Sequence, residues 1–388
     1  MNPDDFAIEL RSYCRRQPEG YHAFSPPTLP PELPIDWDLA NLLSEADRAV
    51  AELSGAGRLL PNPHLLIRPY LRREAVLSSR IEDTHAEVDE LLLLEVDPSE
   101  TPARPSIVEV LNHVRALESG LARLEELPIS TRSITDLHAM LLSDVRGGHN
   151  SKTPGEFRRS QNWIGPAGST LHTATFVPPP YHELASHLSA WENYLHSDSS
   201  EPVLVKAALL HYQFEAIHPF LDGNGRIGRL LITLFLCEQN VLSEPLLYLS
   251  SYFEKFRDEY YQHLLSVSTQ GTWKEWLTYF LTGVRDTAAE ALDDTHRLMD
   301  LYQKYRTLMD QEKRVPGAAA STLDALFAAP MLSIAQHSKR SGMSYANVAK
   351  AVEFWVKHGL LTEVTMKQRY RIFTAPAIMD ATRPRPLA

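Results

Sequence analysis

Residues 218–229 read His218-Pro219-Phe220-Leu221-Asp222-Gly223-Asn224-Gly225-Arg226-Ile227-Gly228-Arg229. Upstream, Val203, Val205, Ala207, Leu209, Leu210, Phe214 and Ile217 recur at helical spacing, which predicts a buried helix ending near His218. Pro219 biases its predecessor away from helical dihedrals, so the chain should turn there. Phe220 can anchor that turn in the core and fix the direction of His218. Asp222-Gly223-Asn224-Gly225 then opens a second helix carrying Leu230, Leu231, Leu234 and Phe235.

The chemistry follows from this geometry. Glycines beside a helix N-terminus leave backbone N–H groups free to converge on an anion. The helix dipole favours negative charge at the same point. Arg226 and Arg229 are three apart, share a helix face and could grip successive phosphates. Asp222 could bind the Mg²⁺ that accompanies a nucleotide. His218, with a side chain that titrates near neutrality, suits the role of general base toward a hydroxyl. A Gly-Asn-Gly turn alone often serves only as a tight connection. The whole string points instead to transfer of a phosphorus group from a nucleoside triphosphate to a side-chain hydroxyl.

The string resembles the Fic family signature, His-Pro-Phe-x-Asp/Glu-Gly-Asn-Gly-Arg-x-x-Arg, and matches it throughout. The resemblance implies an all-α fold: a Fic-type helical core with a small β-hairpin flap. It also implies a protein adenylyltransferase, which moves AMP from ATP to a Ser, Thr or Tyr hydroxyl of a target protein and releases pyrophosphate. On that basis His218 is the base and Asp222 the Mg²⁺ ligand. Gly223, Asn224 and Gly225 cradle the phosphates, Ile227 and Gly228 belong to the same ATP-binding run, and Arg226 and Arg229 contact the triphosphate. Relatives that phosphorylate carry lysine at the position of Gly225, which argues here against γ-phosphate transfer. Gly155-Glu156-Phe157-Arg158, Trp163-Ile164-Gly165 and Thr175–Pro180 look like the flap. A target segment docked near 163–178 would pair with it and offer its hydroxyl to His218. Among Tyr252, Tyr260 and Tyr261, on a helical stretch over 247–265, Tyr261 is the expected adenosine contact, although aromatics at such spacing also build cores.

Residues 78–83, Ser78-Ser79-Arg80-Ile81-Glu82-Asp83, resemble the inhibitory motif of many Fic proteins, (Ser/Thr)-x-x-x-Glu-(Gly/Asn). Ser78 and Glu82 match, and Asp83 departs from it. The resemblance implies that Glu82 pairs with Arg229 and keeps it from the γ-phosphate. Opening a buried pair costs about 3–5 kcal/mol, so suppression on the order of 100- to 1,000-fold is expected. The motif is expected on a helix of its own, reaching in from the N-terminal side. The flanking charges Arg72, Arg73, Glu74, Glu87, Asp89 and Glu90 would equally suit a solvated helix face.

The 388 residues allow two or three domains. No stretch is apolar enough for a membrane span, and the acidic Met1–Asp5 lacks a signal region. Cys14 and Cys237 are too few for a disulfide framework. These features lead to the expectation of a cytoplasmic protein with no membrane partner. The net charge of −11 argues against wholesale nucleic-acid binding. It is uneven: residues 321–388 hold nine basic and four acidic residues.

The expected organisation is an N-terminal helical region over 1–98 with the inhibitory helix, a Fic domain over 104–312 and a winged helix-turn-helix domain over 318–376. Residues 18–36 are proline-rich and read as an extended arm. Helices are predicted near 37–54, 64–78, 80–94, 106–125 and 133–143, the Pro-containing 97–105 parts the first region from the core, and Pro316–Ala320 reads as a linker. In the last domain, helices over 332–339 and 344–358 flank a Ser341-Gly342 turn, with Ser344 as N-cap and Gly359 as C′ residue. A hairpin follows over 362–373 across Lys367-Gln368. Ser344, Tyr345, Asn347 and Lys350 could reach bases, with Lys367, Arg369 and Arg371 on phosphates. DNA binding through 332–373 and protein docking both remain open. The resemblance further suggests a homodimer and self-modification. Three functions stay in competition: the ATP- and Mg²⁺-dependent adenylyltransferase, a DNA-binding regulator with a nucleotide-sensing core, and a Fic enzyme that uses another nucleotide or removes AMP.

Overall fold

The helical periodicities condense into a mostly helical fold. The computed structural model describes residues 1–58, 63–96, 104–143, 145, 153–365 and 371–382. The two helices around the quoted string are α7 (Val203–Ile217) and α8 (Asn224–Glu238), packed against each other. Nearly every side chain of both is buried, which is why α7 reads as apolar all round rather than amphipathic. Around them stand α1 (Trp37–Arg58), α2 (Pro63–Ile81), α3 (Val88–Val96), α4 (Pro105–Arg123), α5 (Thr131–Leu141) and α6 (Leu184–Leu195). After α8 come α9 (Ser250–Lys255), α10 (Arg257–Gln270) and the long α11 (Trp273–Gln311), along which α1 packs. A reciprocal Ser130–Ser133 capping box starts α5, satisfying N–H groups that the helix leaves open. Among the described residues, no helix is long and apolar enough to cross a membrane.

Two local readings need correction. The stretch expected as one helix over 80–94 is split: α2 runs on through Ile81, and α3 begins only at Val88. The break falls at Asp83, which adopts φ +59° and cannot continue a helix. The Ser78–Asp83 motif therefore closes α2 instead of having its own helix. The proline-rich arm is preceded and entered by a short antiparallel hairpin, β1 (Cys14–Arg16) with β2 (His22–Phe24). The flap closes as a small antiparallel hairpin. A single bridge joins Ile164 and Phe176, with N–H···O distances of 2.8 and 3.0 Å.

The C-terminal unit comprises α12 (Ala319–Ala328), β3 (Met331–Ser333), α13 (Ile334–Ser341), α14 (Tyr345–Lys357), β4 (Thr362–Glu363), β5 (Ile372–Thr374) and α15 (Pro376–Thr382). Its sheet is antiparallel in the order β3-β5-β4. Leu332, expected to start a helix, lies in β3, and α13 begins two residues later. Ser344 caps α14 and Gly359 takes φ +74°, as the sequence suggests. The Lys367-Gln368 turn and Arg369 lie outside the described residues, as does most of the stretch 97–105. This unit packs onto the N-terminal helices. Arg72 of α2 donates to the Ala328 carbonyl at 2.8 Å and holds Glu95 of α3 through two hydrogen bonds. Trp355 is fully buried, donates to the Ala319 carbonyl at 3.0 Å and meets the ring of Tyr305 on α11 edge-on. Trp355→Ala should therefore lower unfolding free energy by about 3–5 kcal/mol. Denaturant unfolding, followed by tryptophan fluorescence and by circular dichroism, checks this.

Candidate functional site

His218 ends α7 in the left-handed region, at φ +49° and ψ +61°. Its backbone N–H still closes the helix on Phe214, so the side chain is presented by a C-cap rather than by a loose loop. Three groups lock that turn. Arg158 is buried and donates from Nε to the His218 carbonyl at 2.9 Å and from Nη2 to the Pro179 carbonyl at 2.6 Å. Asn162 donates to the Phe220 carbonyl at 2.8 Å. Asn224 takes the Phe220 N–H at 2.8 Å and gives its own amide to the Phe220 carbonyl at 2.9 Å. Phe220 is fully buried, stacked on His138 with ring centroids 3.7 Å apart.

His138 is a positioning residue that sequence reasoning missed. Its Nδ1 accepts the Gly155 N–H at 3.0 Å, which leaves Nε2 protonated and donating to the Asp222 carbonyl at 2.9 Å. Burial lowers its pKa to about 4, so the ring is neutral and the tautomer fixed. The flap base at Gly155 and the anion loop at Asp222 are thus tied through one imidazole.

At the start of α8, Gly223 adopts φ +79°, a conformation that strains any other residue, with the His138 ring and Leu141 close by. Asp222 Oδ1 accepts the Gly223 N–H at 2.6 Å and lies 3.5 Å from Arg226 Nη2. Arg226 is buried and pairs with Glu109 of α4 at 3.2 Å. It braces the loop from behind and does not line the cavity in front. Ile227 is fully buried in the core.

A cavity of about 750 Å³ opens in front of α8. His218, Gly225, Arg229, Tyr261 and Glu82 line it, and Trp163, Ile164 and Thr175 of the flap border it. Burial, with help from the Arg158 charge, pushes the His218 pKa down to about 4. Its Nδ1 lies 3.3 Å from the Glu215 carbonyl. Arg229 is enclosed: Nε donates to Ser78 Oγ at 2.9 Å, and Nη2 to the Ser78 carbonyl at 2.8 Å and to Glu82 Oε1 at 3.0 Å. A Cβ on Gly225 would overlap Glu82 Oε1, so the glycine leaves room for the carboxylate in the place it takes here. Asp83 turns the other way and pairs with Arg257 at 2.7 Å, which lowers the Asp83 pKa. Arg257 lies over the Tyr261 ring, and the Tyr261 hydroxyl donates to the Ile81 carbonyl at 3.2 Å. Of the sequence-derived candidates, His218, Gly225, Arg229, Tyr261 and Glu82 therefore line one space, whereas Ser78, Arg226, Ile227, Gly228 and the loop residues 222–224 do not. Gly228 backs onto the carboxyl of Glu215, itself a lining residue.

Residues 40–122 match the Fic/DOC family N-terminal region, and residues 128–236 match the Fic/DOC family. The chain is 29% identical over 181 residues to the protein adenylyltransferase Fic of Drosophila grimshawi, covering 46% of this chain and 31% of that protein. It is 27% identical over 175 residues to a probable protein adenylyltransferase of Aquifex aeolicus, covering 44% and 49%. The chain thus spans about a third to a half of the length of these curated relatives. A Fic family protein from Desulfovibrio desulfuricans superposes with a TM-score of 0.57 at 18% identity, over 89% of this chain and 98% of its own. A Fic domain containing signaling protein from Bacteroides thetaiotaomicron gives 0.51 at 19% identity, over 67% and 97%. At such identities these two likenesses speak for the fold. Over these two stretches, about half of its length, the chain is thus similar to the Fic/DOC family N-terminal region and to the Fic/DOC family.

Proposed function

We propose that this chain is a protein adenylyltransferase that transfers AMP from ATP to a hydroxyl of a target protein and is held back by Glu82. The observation that carries the reading is the single cavity shared by His218, Gly225, Arg229, Tyr261, Glu82 and the flap. In the reaction, His218 takes the proton of the target hydroxyl as its oxygen attacks the α-phosphorus. The bond from that phosphorus to the bridging oxygen breaks, and pyrophosphate leaves. The neutral imidazole is ready to accept this proton at any pH well above 4. The open N–H groups at the start of α8 and the Arg229 guanidinium neutralise the phosphates once Glu82 has moved. Tyr261 offers a ring face at the far side, and the flap edge at Trp163–Gly165 can pair with an extended target segment.

Asp222 is the residue suited to hold Mg²⁺. Among the described residues there is no cluster of three His, Cys, Asp or Glu side chains. Mg²⁺ is commonly bound through one or two carboxylates together with substrate phosphates and water, so a single carboxylate can serve. The ion, when bound, would supply charge neutralisation of the triphosphate.

Incubating Glu82→Gly protein with labelled ATP and a cell extract tests the reading. Label from the α position retained on protein supports it, with His218→Ala as the blank. Retained γ label would establish a kinase instead. No covalent label, together with salt-sensitive binding to a DNA duplex, would favour the regulator. The Asp83–Arg257 pair should add a smaller restraint on the same segment. Asparagine tolerates positive φ, so Asp83→Asn removes the charge without straining the turn. It should raise transfer about two- to fivefold, the effect of a weak exposed ion pair, in the same α-label assay.

We read residues 319–374 as a winged helix that docks protein. Arg371, one of the candidate phosphate contacts, is already paired with Glu363 at 2.6 Å. Tyr345, at the start of α14, is 59% exposed, a surface better matched to a protein partner than to a duplex.

A further inference from the structure

A second carboxyl stands beside Arg229, and the reaction above leaves it unused. Glu215 belongs to the last turn of α7, three residues before the His218 C-cap. It lines the same cavity as His218, Gly225, Arg229 and Glu82. Its Oε1 is shut off from solvent and has no hydrogen-bond partner among the described residues. Gly228 makes the room for it, since a Cβ there would overlap Glu215 Oε1. One turn earlier on α8, Gly225 makes room for Glu82 Oε1 in the same way. Two glycines on one face of α8 thus each seat a carboxyl next to Arg229. The Glu82 carboxyl comes from the end of α2 and can leave with it. The Glu215 carboxyl is built into α7 and stays.

A carboxyl with one oxygen enclosed and without a donor is tolerated as the neutral acid better than as the anion. Burial raises the Glu215 pKa to about 8; Arg229 opposes that shift and Glu82 adds to it. The other groups around it titrate elsewhere. On α7, burial lowers His211 to about 3 and His218 to about 4. On α10, Tyr261 is raised to about 12 and Tyr260 lies well above its ordinary value. Arg257 and Arg229 stay charged throughout. On α2, Glu74 is raised to about 7, by burial, and is hydrogen-bonded to Ser250.

Building on the nucleotide reading above, we propose that Glu215 is a pH-responsive member of the polyphosphate site: as a neutral acid it leaves Arg229 to the anion, and as a carboxylate it competes with the anion for Arg229. Release of the brake does not remove this competitor. Loss of Glu82 takes away a charge that keeps Glu215 protonated, so the transition in the released protein falls at somewhat lower pH than in the resting one.

Calorimetric titration of Glu82→Gly protein with MgATP, and separately with inorganic triphosphate, tests this between pH 7 and 9. MgATP is essentially fully ionised over that range, whereas inorganic triphosphate still loses its last proton within it, so the triphosphate profile is read as the difference between the Glu82→Gly protein and the same protein carrying Glu215→Gln. The dissociation constants should rise on the order of tenfold across it, as expected of a like charge appearing beside the ligand. Adding Glu215→Gln should flatten the dependence to less than twofold, which also separates Glu215 from Glu74. An unchanged slope in the glutamine variant would overturn the proposal, and so would a flat profile in the Glu82→Gly protein, which needs no second substitution to fold. Failure of either ligand to bind at any pH would overturn the nucleotide reading itself, and the role of Glu215 with it.

Discussion

Replacing Glu82 by glycine should raise AMP transfer to protein about 10- to 60-fold. The guanidinium of Arg229 is held by three hydrogen bonds, of which two go to Ser78 and one to Glu82. Only the last is lost in the variant, so Arg229 keeps its place while its charge is freed. A fully buried pair of this kind is worth about 3–5 kcal/mol to break. Here the Arg229 side chain is 1% exposed but that of Glu82 is 34% exposed. Water screens the open side, and about 1.5–2.5 kcal/mol is the better figure. At about 1.4 kcal/mol per decade this gives the range stated. It lies below the 100- to 1,000-fold that the motif alone suggests, because sequence carries no information on how far the carboxylate reaches into solvent. Glycine costs little at this position, since α2 ends at Ile81. The initial rate of protein labelling from α-labelled ATP is the measurement. Equal rates for the two proteins would remove Glu82 from any inhibitory role. A larger gain than 60-fold would mean that the whole end of α2, with the Asp83–Arg257 and Tyr261–Ile81 contacts, lets go together.

The parts of the site that were legible in the sequence are those whose geometry is local. His218 before proline, Gly223 at a helix start, and the Gly225/Arg229 pair one turn apart each take their conformation from their neighbours in the chain. Ser344 and Gly359 were legible for the same reason. The residues that escaped notice act across the fold. Glu215 sits among the apolar positions of α7 as an unremarkable helical glutamate, and its meaning comes from Gly228 on another helix. Arg158 and His138 act on backbone carbonyls 60 and 84 residues away. No periodicity encodes such contacts. The Gly155–Arg158 segment reads in sequence as part of the flap, whereas in the fold Arg158 points inward at the His218 carbonyl. Arg226 is another such case: its spacing to Arg229 suggests a shared phosphate-binding face, and the structure adds an ion pair with Glu109 of α4 that the spacing does not reveal. The helix expected over 80–94 failed at one backbone angle, because glutamate, aspartate and threonine in sequence carry no strong stop signal, and Asp83 is turned by its ion pair to Arg257.

His218→Ala in the Glu82→Gly protein should reduce AMP transfer about 100- to 10,000-fold, the usual contribution of a general base, while leaving MgATP binding within about threefold. The separation is expected because the phosphate groups of the site are Arg229 and the α8 N-terminus, and the His218 backbone is held by Arg158 and Asn162 whatever its side chain. The pH profile distinguishes a base from a group that merely fills space. Burial first, and the Arg158 charge second, lower the His218 pKa to about 4. The imidazole is therefore unprotonated above that value, and the acid limb of the profile should fall well below pH 6.5 in the absence of ligand. Bound triphosphate brings negative charge into the cavity and raises the value toward neutrality, which strengthens the base at the moment it is needed. The rate at low ATP should thus hold down to about pH 5, whereas the rate at saturating ATP should begin to decline at higher pH. In the His218→Ala protein both acid limbs should vanish, leaving a slow rate with little pH dependence on that side. Identical acid limbs with and without His218 would assign the proton transfer to another group, and the neutral form of Glu215 rules it out as that base on the acid side.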